Sequence, residues 1–127
     1  MLLSSVGDGR VASATRQDLA EATAAVVTTD GHHGKTYELS GDTAWNYDDL
    51  AAGLSEVLGR DVVHQSLTPE QHLQAIVSAG VPEQMAQMIV GADAGIAAGA
   101  FAFTNGDLSR LLGRPTTPLV EGLRPLV

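Results

Sequence analysis

Two hydrophobic patterns alternate along the first half of the chain. Apolar residues recur at helical spacing after Thr15 and again after Asn46, as in helices that bury one face. Three short segments beside these helices are interpreted as strands: the first alternates, the second carries Tyr37 and Leu39 on one face, and the third contains Val62 and Val63. The predicted strands are Arg10 to Ala14, Lys35 to Leu39 and Asp61 to Leu67.

Capping signals place the helix limits. Thr15 is a good N-cap for a helix over Arg16 to Thr28, and Asn46 begins a helix that Gly59 ends. Thr68-Pro69-Glu70-Gln71 combines an N-cap threonine, a proline at N1 and a glutamine that completes a capping box. The predicted helices of the second half run from Thr68 to about Ser78, from Pro82 onward, over Leu108 to Leu112, and through a tail that holds Leu119 and Leu123.

The order strand, helix, strand, helix, strand and then helices predicts an α/β fold over residues 1–127 as a single domain. Three short strands make a poor sheet alone, so we expect them to extend or flank a larger one. Hydrophobic residues make up 44% of the chain but aromatic residues only 4%. Because much of this apolar content is alanine, which buries little area, we expect packing against another domain or a second copy to stabilise the core.

Charge and composition exclude several partners. The formal net charge is −8, from 7 Lys and Arg against 15 Asp and Glu, and no basic cluster is present. Binding to nucleic acid or to an anionic membrane surface is therefore not expected. The absence of cysteine excludes disulfides, thiolate metal sites and a cysteine nucleophile. Without an apolar segment of membrane-spanning length or a signal peptide, a cytoplasmic location is expected.

Several polar groups favour a structural role over a chemical one. Gly7-Asp8-Gly9 precedes a predicted strand and lacks a third glycine, so a tight turn is favoured over a phosphate site. His32 and His33 are loop neighbours that point apart, and His64 and His72 are isolated in sequence; surface histidines are favoured over metal ligands. We predict neither a metal site nor a catalytic residue.

Four residues are candidates for a substrate pocket. Arg16 follows the end of a predicted strand, where α/β folds build sites, although an exposed ion pair with Asp18 in a capped helix is the alternative. Trp45 lines a pocket or packs against the start of a helix. The flexible pair Met85 and Met88 suits a planar substrate or fills the core.

Four segments together resemble one family: Gly7 to Asp18, Lys35 to Asp42, Leu50 to Ala52 and Leu111 to Leu119. They are similar to the C-terminal region of NmrA-like atypical short-chain dehydrogenases, most closely the bacterial NAD(P)H:quinone oxidoreductase branch. The resemblance implies a partial Rossmann-like fold, namely the substrate-side lobe with three short strands and several helices. It also implies NADP as cofactor and a quinone-like small molecule as substrate.

The resemblance also implies that these residues lack the cofactor-binding part of such an enzyme. Such enzymes bind NADPH in a Rossmann half, whose glycine-rich loop has no counterpart here, so we expect the N-terminal half to be absent and the chain alone to be inactive. Met1 to Ser5 differ from the family's preceding strand, which suggests an interrupted gene. Arg10 aligns with a basic position near the cofactor and is expected to touch the NADP phosphate or ribose. Pairing with a Rossmann half, or a homo-oligomer, is expected. The alternative is a non-enzymatic interaction or regulatory module that self-associates.

Overall fold

A computed structural model describes all 127 residues and confirms the α/β class. It contains six α-helices, two short strands and a final 3-10 turn. The elements are β1 (Leu2–Ser4), α1 (Arg16–Thr28), α2 (Tyr47–Leu58), β2 (His64–Ser66), α3 (Pro69–Ser78), α4 (Glu83–Ala97), α5 (Asp107–Leu112), α6 (Leu119–Leu123) and the turn Arg124–Leu126. No helix combines the length and the apolar character needed to cross a bilayer.

The sheet differs from the predicted three strands. It has two parallel strands, β1 and β2, with Leu3 opposite Gln65. The predicted strand over Asp61 to Leu67 is confirmed in its centre, whereas β1 was not predicted. The strand predicted over Lys35 to Leu39 is wrong, because the Glu38 N–H donates to the Asp107 carboxylate (3.1 Å) instead of to a neighbouring strand.

The strand predicted over Arg10 to Ala14 is also wrong. Val11 exchanges two hydrogen bonds with Trp45, at 2.8 and 3.1 Å, as an isolated antiparallel bridge. The next N–H, that of Ala12, donates to the carbonyl of Phe101 (2.8 Å). Since consecutive residues bond to different segments, no ladder forms here.

The helix limits agree with the capping signals. Asn46 and Asp49 form a reciprocal capping box at the start of α2, and Thr68 and Gln71 form another at the start of α3. In each box two backbone N–H groups that would otherwise lack a partner at the helix N-terminus donate to side-chain oxygens. Gly59 ends α2 in the left-handed conformation with a φ of 63°, which glycine adopts without steric cost.

The helices pack as three pairs: α1 against α5, α3 against α4, and α2 against α6. The buried hydrophobic side chains between them are few and mostly small, namely Val6, Ala12, Ala22, Ala51, Ala86 and Leu108. Polar residues are buried beside them, namely Ser4, Ser5, Asp18, His72, Asp93 and Thr116. Polar networks therefore connect the elements alongside a thin apolar core.

Candidate functional site

A cavity of about 690 Å³ lies where three segments meet. These segments are the loop at 13–16 that leads into α1, the loop at 41–45 that leads into α2, and the C-terminal stretch from 115 to 126 with α6. Leucines and prolines of the C-terminal stretch form most of its apolar wall. The structure brings two of the predicted substrate residues, Arg16 and Trp45, to this cavity.

Hydrogen bonds of both the ring and the backbone hold Trp45 in place. Its Nε1–H donates to the hydroxyl of Ser13 (2.7 Å), and its backbone pairs with Val11. Tyr47 lies beside it, with ring centroids 5.9 Å apart. Because the ring orientation is set by these contacts, Trp45 offers a prearranged aromatic surface to the cavity.

The two loops cross at very short range at Gly41. Its N–H donates to the carbonyl of Ala12 (3.0 Å), and a Cβ at this position would lie 2.2 Å from the carbonyl oxygen of Ser13. Only glycine fits such an approach. Next to it, Asp42 and Thr116 exchange two hydrogen bonds of 2.9 Å, which tie the C-terminal stretch to this loop.

Asp18 forms the other attachment of the C-terminal stretch. Its carboxylate, with 0% of the side chain exposed, accepts hydrogen bonds from the Thr117 N–H (2.7 Å), the Thr117 hydroxyl (2.9 Å) and Arg114 Nη2 (2.8 Å). Burial alone raises the pKa of Asp18, but these hydrogen bonds and the charge of Arg114 outweigh it and the pKa is lowered. The expected alternative, an exposed Arg16–Asp18 ion pair, is wrong because Asp18 pairs with Arg114.

Arg16 is exposed at the cavity, and its side chain makes no hydrogen bond or ion pair within the chain. Arg10 is placed differently: it donates to the carbonyl of Ala44 (2.9 Å) and lies 3.7 Å from the carboxylate of Asp49. A cofactor phosphate at Arg10 would have to share the guanidinium with these partners. Its cofactor role stays a prediction.

Met85 and Met88 do not line the cavity. They lie on α4 with 56% and 71% of their surface exposed, so the alternative that they fill the core is wrong. Ile89 is exposed beside them, which makes this side of α4 an apolar surface. A substrate role for the two methionines stays a prediction.

His72, predicted to be a surface histidine, is buried in a polar cluster that sequence reasoning missed. One carboxylate oxygen of Asp93 accepts hydrogen bonds from the Ser5 N–H (2.7 Å) and hydroxyl (3.1 Å), and it lies 3.1 Å from His72 Nδ1. The cluster joins the end of β1 to α3 and α4. The available signal was Asp93 as the single charged residue in the apolar run 88–97 of α4, because a buried carboxylate requires partners.

His64, also predicted to lie at the surface, belongs to a second polar chain. Its Nδ1 is 2.8 Å from Asp48 and its Nε2 is 2.8 Å from the Ser4 hydroxyl. This connectivity is that of a hydrolase triad. However, Ser4 is only 1% exposed, so a substrate cannot reach its hydroxyl, and the chain connects β1, β2 and α2 instead. No three His, Asp or Glu side chains converge as a metal site.

The sequence and the fold of the chain resemble those of a known class of enzyme. It is homologous to the C-terminal portion of NADPH-dependent oxidoreductases with the NmrA-like fold, which confirms the resemblance seen in the sequence. No protein-family model matches the chain. The chain spans less than half the length of the curated relatives it matches.

Individual relatives make the placement specific. Over 126 residues, 99% of this chain, it is 40% identical to quinone oxidoreductase 2 of Escherichia coli, of which it covers 44%. The structure of that enzyme with NADPH superposes with a TM-score of 0.90 at 41% identity, over 98% of this chain and 44% of that chain. The NADP(H) complex of Citrobacter sp. triphenylmethane reductase gives a TM-score of 0.92 at 40% identity, over 99% and 44% of the two chains.

Proposed function

We propose that this chain forms the substrate-binding part of an NAD(P)H-dependent quinone oxidoreductase. The observation that carries the proposal is the cavity beside Trp45 in a chain homologous to such an enzyme. Its volume of about 690 Å³ falls within the usual range for small-molecule sites. A planar quinone ring gains dispersion energy and excludes water when it lies against a fixed indole and leucine side chains.

The cofactor part of the site needs residues beyond these 127. The sequence contains no glycine-rich turn between a strand and a helix, where backbone N–H groups bind a pyrophosphate. We propose that a Rossmann half, in the same longer chain or in a second polypeptide, holds NADPH and delivers the hydride to the quinone. Arg10 is proposed to touch the NADP phosphate or ribose. A cytoplasmic location remains a prediction.

The test joins this chain to a Rossmann half. The N-terminal portion of quinone oxidoreductase 2 from Escherichia coli, up to the region that matches this chain, is fused to residues 1–127. We expect the fusion to oxidise NADPH when a quinone is added, and the chain alone to show neither turnover nor saturable NADPH binding. Turnover by the pure chain would overturn the requirement for a Rossmann half, and a folded fusion that reduces no quinone would overturn the proposed function.

A second candidate is a non-enzymatic interaction module that self-associates. The exposed apolar surface of Met85, Met88 and Ile89 favours it, because such a surface lowers the free energy of the chain when covered. Light scattering after size exclusion, with and without NADPH, tests this candidate. A concentration-dependent dimer that M88E converts to a monomer would support it. A monodisperse monomer with a cooperative melt at high temperature would count against it.

A further inference from the structure

One cation stands at the cavity without a partner. Of the six arginines in the chain, Arg10, Arg110, Arg114 and Arg124 lie within ion-pair distance of a carboxylate. Arg16 has no such neighbour, although the chain carries 15 acidic residues against 7 basic ones. It is also the only lysine or arginine among the residues that line the cavity.

Several other polar groups of the cavity already make hydrogen bonds within the chain. The Ser13 hydroxyl accepts from Trp45, the Thr15 hydroxyl accepts from the N–H of Asp18, and the Thr117 hydroxyl donates to Asp18. Asp42 is the one acid in the lining, and one of its oxygens accepts from the N–H of Thr116. The Ser13 and Thr15 hydroxyls can still donate, so what distinguishes Arg16 is that it is the only positively charged donor in the lining.

An anionic ligand needs such a local cation in this protein. The net charge of −8 repels anions at long range, so a site that binds them must offset this repulsion with a positive charge close to the ligand. A guanidinium presents paired donors to a carboxylate or sulfonate in a planar fork, and these charge-assisted hydrogen bonds are stronger than neutral ones. Trp45, held by Ser13, supplies the ring-binding surface of the same cavity.

We propose that the cavity selects acidic aromatic ligands, namely quinones that carry a carboxylate, a sulfonate or an ionised hydroxyl. The ring lies against Trp45 and the anionic oxygens accept hydrogen bonds from Arg16. This inference rests on the proposed function, since it names the class of quinone that the same cavity binds. In this proposal Arg16 determines the specificity of the cavity for the anionic group of the ligand.

The test uses the single tryptophan as a reporter. Because Trp45 is the only tryptophan of the chain, quenching of its fluorescence reports ligand at the cavity. The full chain is titrated with anthraquinone-2-sulfonate and with the neutral 2-(hydroxymethyl)anthraquinone. R16Q is the test variant. R60Q is its matched control, because Arg60 also lacks an ion pair but does not line the cavity.

We expect the wild-type chain to bind the sulfonate about five- to tenfold more tightly than the neutral ring, the size of one partly exposed charge-assisted contact. R16Q should remove this preference without changing the affinity for the neutral ring, and R60Q should retain it. Equal wild-type affinities, a preference that survives R16Q, or its equal loss in R60Q would overturn the inference. Equal binding of both rings leaves the proposed function standing, whereas quenching by neither ring removes the cavity from both proposals.

Discussion

The carboxylate of Asp18 should carry a large share of the stability of this chain. D18N keeps the size of the side chain but replaces one oxygen by an amide that cannot accept the hydrogen bonds of Thr117 or Arg114. A donor then faces a donor inside a buried site. The attachment of the C-terminal stretch to α1, and with it one wall of the cavity, is weakened.

The size of the effect follows from burial. Breaking a buried ion pair by removing one partner costs about 3–5 kcal/mol. Arg114, with 40% of its side chain exposed, regains hydration when the pair is broken, so we take the lower end of that range. A chain of this length at the low end of about 0.05 kcal/mol per residue has roughly 6 kcal/mol in total. D18N should therefore remove about half of the free energy of unfolding.

The stability that Asp18 contributes depends on pH. Because the folded pKa of Asp18 is lowered, its contribution is present above the unfolded pKa, about 3.9, and is lost as the pH falls through the folded pKa. The difference between wild-type and D18N should be full at pH 7 and shrink below about pH 4.

Urea denaturation followed by circular dichroism measures this difference. E21Q is the control, because Glu21 is exposed and also contacts Arg114 (2.8 Å) while leaving Asp18 paired; only a small shift of the midpoint is expected. Equal midpoints for D18N and wild-type, or equal losses in D18N and E21Q, would refute the argument.

Two further predictions concern the loops and β1. G41A should destabilise the chain by about 1–3 kcal/mol and weaken the quenching of Trp45 fluorescence by a quinone, because the added Cβ would meet the carbonyl of Ser13. In G91A the added Cβ lies in open space on α4, so this variant should raise the free energy of unfolding by about 0.5–1 kcal/mol. Matching melting temperatures of the two variants would contradict this. D93N should speed hydrogen exchange at the Ser5 amide by about tenfold or more, since that N–H donates to the carboxylate at 2.7 Å; an unchanged rate in NMR would contradict it.

The helices could be predicted from the sequence because their signals are local. Asn46 with Asp49, and Thr68 with Gln71, lie within one helical turn of each other, so three or four residues contain the whole signal. A strand has no such signal, since it forms only where a partner edge is available. Lys35 to Leu39 alternates like a strand, yet its Glu38 N–H bonds to a side chain.

The same difference between local and long-range signals explains which residues of the site could be predicted. Arg16 and Trp45 were found because each stands beside a predicted element boundary. The partner of Asp18, Arg114, is 96 positions away, and Asp93 is 88 positions from Ser5. Nothing in the sequence joins such residues. Only the folded chain does, and it converts the supposed surface residue His72 into a buried one.

The exposed apolar surface of α4 allows the proposed pairing with a Rossmann half to be tested through the stability of the chain. The core is thin, and Met85, Met88 and Ile89 are exposed, so the chain has apolar area still to bury. A partner that binds only the folded state raises the free energy of unfolding by about 2.7 kcal/mol at a hundredfold excess over its Kd. Mixed with this chain as a separate polypeptide, a Rossmann half that covers this surface should raise the melting temperature before any NADPH is added. If the melting temperature rises only with a quinone, the cavity is the stabilising site and α4 is not the surface that the Rossmann half covers.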